Sequence, residues 1–146
     1  MAEMKKLYLF VIIMAIAAMI VHTAESLLTM GYYIDPANFS LWSKLMMPGA
    51  GPPPAIFYAY SLLFAFVSWM LFGFVYVVLS GAIKEKDIVR KGLKFGTLIF
   101  LVGAFPGALM MVLILNLPLE LIVSWVISDL ILNLAGGIVA AKLIEG

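Results

Sequence analysis

Four apolar runs decide what this chain can become. They cover about residues 7–30, 55–83, 93–115 and 119–141, and each meets the roughly 20 residues a helix needs to cross hydrocarbon. In lipid a spanning segment must satisfy its own backbone N–H and C=O groups, so such runs are expected to be helical. The fold class expected is all-α: a polytopic, multi-pass membrane protein, one domain over 1–146, built as a four-transmembrane-helix bundle. Hydrophobic residues fill 65% of positions and charged ones 12%. That excludes an ordinary soluble domain, in which only about half the residues are apolar.

The first run follows Lys5 and Lys6 and could pass for a secretory signal. Cleavage after Ala24 would put His22 where a small residue is required, and the apolar stretch outruns a usual signal core. It reads as a retained helix. Orientation follows from the cations: Lys5, Lys6, Lys84, Lys86, Arg90, Lys91, Lys94 and Lys142 share one side, and only Lys44 falls on the other. Under the positive-inside rule both termini are cytoplasmic. The expected location is the plasma (cytoplasmic) membrane of a prokaryote.

Between the first two runs lies the one long connection, about Gly31 to Pro54. Asp35-Pro36 is a helix start, a capping carboxylate followed by a proline at the first helical position. Phe39, Trp42, Leu45 and Met46 then recur at helical spacing, which suits a short interfacial helix. The alternative is a loop packed over the mouth of the bundle. The Pro48–Pro54 stretch leads stiffly into the second span. The charged loop from Lys84 to Lys94 is expected to extend both flanking helices. Asn116-Leu117-Pro118 is a tight turn, so the last two spans are antiparallel neighbours.

At 100° per residue each span carries one small or polar stripe. These are Ala15, Ala18, His22, Glu25, Ser26 and Thr29 on the first span, and Tyr58, Ser61, Ala65, Ser68 and Tyr76 on the second. Gly92, Gly96, Gly103 and Gly107 mark the third; Trp125, Asp129, Asn133, Gly136 and Ala140 mark the fourth. Small residues let helix backbones approach and polar ones find partners, so the stripes are expected to face inward as packing surfaces. Pro106 removes a helical hydrogen bond and is expected to kink the third span. It comes near the depth of Asp129, which places a small polar cavity between them.

Asp129 is the most telling single residue, a carboxylate roughly 15 Å into its apolar run at 1.5 Å per residue. An ionisable group at that depth normally faces protein or water and marks a functional site. His22 and Glu25, three residues apart, share a helical face nearer the loop end. With Ser26, Ser124, Ser128 and Asn133 they make a polar ladder leading to Asp129, the candidate proton or ion path or binding site. The competing reading is that these groups only hydrogen-bond helix to helix, which membrane helices tolerate at modest energy.

No catalytic machinery is recognisable. The chain has no cysteine and a single histidine, so thiolate chemistry and a multi-histidine metal centre within one chain are excluded. The serines have one histidine to share and no orienting group, and the two acids sit at different depths for an aspartyl protease. No cofactor or metal is implied, and one short basic loop does not argue for nucleic acid. Three functions remain. The first is an accessory or assembly subunit of a larger membrane complex, or a homo-oligomer packed through the glycine stripe. The second is a small proton- or cation-linked transporter or pore using Asp129, His22 and Glu25. The third is a binder, or enzyme, for an apolar ligand such as a lipid or isoprenoid, in a pocket near Pro106, Tyr58, Trp125 and Met110.

Overall fold

The structure, a computed structural model that describes residues 2–49 and 51–146, is all-helical, with no strand among the described residues. Helix α1 (Ala2–Leu28) is followed, after a turn at Thr29, by the short α2 (Met30–Ile34) and a 3-10 helix (Pro36–Leu41). Helix α3 (Ala55–Leu79) closes in a 3-10 turn at Ser80–Ala82. Helix α4 (Ile88–Ile99), a π-helical turn (Phe100–Ala104) and α5 (Phe105–Ile114) make one continuous rod; α6 (Leu119–Ala140) ends in a second π turn, Ala141–Glu145. Four helical stretches are long and apolar enough to cross a membrane: Met4–Leu28, Ala55–Ala82, Ile88–Ile114 and Leu119–Glu145. This is the architecture of an integral membrane protein.

Local chemistry explains where the helices begin. Asp87 caps α4 by accepting the Arg90 N–H at 2.7 Å, so this span starts five residues before its apolar run. The charged loop therefore joins only one of its neighbours, since the α3 rod stops at Ala82. Lys91 reaches Glu145 at 2.8 Å and ties the start of α4 to the C-terminal turn, while Lys94 reaches back to Glu85 of the loop at 3.2 Å. In the first loop Asp35 Oδ1 accepts the Ala37 N–H at 2.9 Å and starts the 3-10 helix. That helix stops at Leu41, short of the expected pattern through Met46, because Trp42 turns extended and Ser43 begins a new turn. Gly51, with φ of 142°, takes a conformation that side-chain-bearing residues avoid. Its neighbour Ala50 lies outside the described residues.

Packing is tightest near the termini. Helix α4 lies on α6 along a glycine seam: a Cβ on Gly92 would meet Gly137 O at 2.6 Å, and one on Gly96 would strike Asn133 O. Gly137 faces the Gly92 carbonyl in return. The two backbones thus touch directly, the close approach that small residues permit. Helix α1 sits between α3 and α6. Its Phe10, Val11 and Met14 are fully buried with Tyr76 of α3, Phe95 of α4 and Ala140 of α6. Aromatic rings knit this end together. Phe10 stacks on Phe72 at 5.9 Å, and Phe95 meets Phe72 at 5.1 Å and Tyr76 at 4.9 Å, both edge-on.

The seam does not continue along the third span. Gly103 and Gly107, expected to extend it, have no atom within 4 Å of where a Cβ would stand. The cause is the π turn, in which the Phe105 N–H bonds the Phe100 carbonyl five residues back. One wide turn holds about one residue more than an α turn, which rotates the helix beyond it by about 100°. The arc drawn for a straight helix is broken at that point. Pro106 follows in the first turn of α5, where its missing N–H is absorbed by the irregular turn before it.

Candidate functional site

Toward the first loop the helices part around one large cavity of about 1010 Å³. Its floor is the upper edge of the aromatic cluster, Trp69 and Phe72. One wall is the α3 stripe of Ser61, Ala65 and Ser68, with Tyr58 and Phe64 above it. That stripe was expected to meet another helix; instead it faces open space. The rings of Trp69, Phe72 and Phe10 wedge α3 off α6 below, and short side chains higher up leave the gap unfilled. Helix α1 contributes Ala18, Met19, His22, Glu25 and Ser26, and α6 contributes Trp125, Asp129, Leu132 and Asn133.

Phe39, Met46, Met47, Pro52 and Pro53 of the first loop line the mouth. The volume lies at the upper end of the range for small-molecule sites, about 300–1,000 Å³. Pro106 and Met110 do not take part. Both are exposed on the opposite side of α6, because α5 packs outside the region enclosed by α1, α3 and α6. The polar cavity expected beside Pro106 therefore lies elsewhere.

Asp129 is half-buried and lines this cavity, so its carboxyl faces the interior space of the fold. Asn133, one turn on, donates its Nδ2 to the Asp129 backbone carbonyl at 2.8 Å. His22 lines the same space from α1. The ion pairs among the described residues are the two at the charged loop, so His22 and Asp129 share the cavity without a direct salt bridge. Among the described residues no lysine or arginine lines it; Lys44, the cation of the covering loop, is exposed.

Glu25 is the more deeply buried of the two acids, with 7% exposure, although its place near the helix end suggests easy access to headgroup water. Its Oε1 accepts the Ser124 hydroxyl at 2.7 Å and the Thr29 hydroxyl at 2.9 Å, which links α1 to α6. Next to it the Trp125 indole N–H donates to the Tyr33 hydroxyl at 3.0 Å, and the Tyr33 ring stacks on Trp42 of the loop at 5.0 Å. Burial pushes the Tyr33 phenol above its ordinary pKa; the Trp125 hydrogen bond opposes this and the Glu25 charge adds to it. A chain of contacts thus runs from the acid at the cavity edge to the loop that covers it.

Of the seven polar candidates, His22, Glu25, Ser26, Asp129 and Asn133 line one space, and Ser124 joins through Glu25. Ser128 is buried but does not line the cavity; one residue from Asp129, it points about 100° away. Gly136 packs against the Trp69 ring, 2.5 Å from where its Cβ would stand, and so supports the floor. Sequence reasoning passed over Tyr33 and Trp69. The signal for Tyr33 was present, since Glu25, Thr29 and Tyr33 are spaced by four, but the helix was expected to stop at residue 30. Trp42 offered no such signal, because its stacking depends on the path of the loop. No family model, characterised protein or solved structure matches this chain.

Proposed function

We propose that this membrane protein binds an amphiphilic small molecule in the loop-end cavity, with the apolar part held among aromatic rings and the polar part at His22, Glu25 and Asp129. The observation that carries this reading is the lining of the cavity. One space of about 1010 Å³ is walled by Trp69, Phe72, Tyr58, Phe64 and Trp125 and holds two carboxyl groups and an imidazole on one side. A site with mostly apolar walls and a few convergent polar groups is the usual form of a ligand pocket. The first loop acts as its cover, tied down through Trp42, Tyr33 and Trp125. Both termini and the charged loop face the cytoplasm in this reading, so the cavity opens toward the outer leaflet. The 3-10 helix at Pro36–Leu41 lies at headgroup level.

The test is intact-mass measurement on protein extracted in a mild neutral detergent. One retained amphiphile per chain is expected, and Ala65→Phe, which fills the wall, releases it. Protein that carries nothing, and whose tryptophan emission ignores every added amphiphile, would end this reading.

A second reading has its own observation. On the third span Gly103 and Gly107 are open, and Val102 and Leu113 beside them are 74% and 80% exposed. Such a groove suits a further transmembrane helix, from a second copy or from a partner subunit. The chain has no cysteine, so Gly103→Cys gives a clean probe. A disulfide-linked dimer formed in the membrane supports pairing between copies, and a monomer under oxidant argues against it.

A further inference from the structure

Resting on the amphiphile-binding reading, we infer that the ligand carries a cationic head, an alkylammonium or quaternary ammonium group, and that Glu25 and Asp129 are its counter-charges. Three observations converge on this. The cavity holds two carboxyl groups, neither of which has a lysine or arginine partner among the lining residues. The chain therefore supplies acidity without supplying the charge that would balance it, apart from a single imidazole.

The acids are also placed at two levels. Glu25 is level with Ser124, to which it is hydrogen-bonded, and Asp129 lies five residues further along α6, or roughly 7 Å deeper. A head group entering from the loop end thus passes one acid before it reaches the next. Finally, the rings of Trp125, Tyr58 and Trp69 line the same cavity. Aromatic faces attract cations strongly once water is excluded, indole most of all, and repel anions. A phosphate or carboxylate head would meet two carboxyl groups and an aromatic lining that favours cations over anions. A neutral head would leave the Asp129 carboxyl without a counter-charge.

Glu25 is already held by two hydroxyl donors on one oxygen, whereas among the described residues no side chain donates to the Asp129 carboxyl. The deeper acid is therefore the principal counter-charge, and Glu25 is the acid met on entry. His22 lines the same route.

The test uses the full chain in neutral lipid nanodiscs with two brominated probes of equal chain length. One has a trimethylammonium head and the other an uncharged head of the same size. Bromine quenches nearby tryptophans, and Trp69 and Trp125 line the cavity. The cationic probe is expected to quench at about tenfold lower concentration than the neutral one, the ratio a desolvated cation–π and charge contact supplies. Asp129→Asn should abolish most of that ratio, and Glu25→Gln a smaller part, the ratio of cationic to neutral probe being read within each variant. Equal quenching by both probes in the wild type would overturn the cationic head and leave the amphiphile reading standing. Quenching by neither would remove both. A cationic preference that survives Asp129→Asn combined with Glu25→Gln would overturn the assignment of the acids. The wild-type comparison needs no variant, so the inference stays open to refutation even if a substitution fails to fold.

Discussion

At the end that carries both termini, Phe10, Val11, Met14, Phe95 and Tyr76 are at most 1% exposed. At the end covered by the first loop, Tyr58 and Phe64 are about half exposed along a cavity of about 1010 Å³. The same four spans build both ends, with similar numbers of aromatic residues, so apolar content does not explain the difference. Backbone approach does. Where α4 and α6 touch through Gly92, Gly96 and Gly137, the remaining gaps are narrow enough for rings to fill. Where α3 presents Ser61, Ala65 and Ser68 to α1 and α6 without such contact, the short side chains leave volume. In a bilayer, lipid is as apolar as the core, so helices are held together by packing and hydrogen bonds rather than by escape from water. A region that packs poorly is then free to hold something else.

The largest effect expected is in the aromatic cluster beneath the cavity floor. Phe95→Ala should lower the unfolding free energy in mixed micelles by about 3 kcal/mol or more, through lost contacts and a rigidly framed void. Phe64→Ala, at the cavity wall, should change it by less than about 1 kcal/mol. Equal losses would mean that the two ends are packed alike.

Next come the paired glycines of the third span. Gly96→Ala drives a methyl into the Asn133 carbonyl, a backbone atom that cannot swing aside, and should cost about 2 kcal/mol. Gly103→Ala meets open space and should be neutral or stabilise by about 0.5 kcal/mol through helix propensity. Thermal unfolding of the two variants side by side decides this. A comparable penalty at Gly103 would place a helix against that face.

The smallest effect concerns the cover. The pKa of Tyr33 is raised by burial from its ordinary value of 10.0, so the folded loop favours the neutral phenol. Its contribution is complete below pH 10 and fades as pH climbs through the raised value. Emission from Trp125, whose indole bonds that phenol, should shift above this point as the cover loosens. Tyr33→Phe should remove the shift while the other tyrosines still titrate. A shift that persists in Tyr33→Phe would detach the phenol from the latch.

Much of the cavity's polar lining is legible in the sequence. A carboxylate in mid-span is costly enough to demand an inward face, and the hundred-degree stepping of a helix placed His22, Glu25 and Asn133 with it. Periodicity failed where the helix itself was irregular. Gly103 and Gly107 fell on one arc with Gly92 and Gly96 only while the third span was drawn without its π turn. Ser128 was set with the ladder by composition, although its angle turns it aside.

The number of spans, their helical nature and the need to shelter Asp129 follow from the sequence by itself, because hydrocarbon leaves backbone and charge so few alternatives. Only the tertiary structure decided that the small residues of α3 border a void while those of α4 close a seam. Both stripes look equivalent along the chain, and the difference lies in which neighbouring backbone comes near enough to touch.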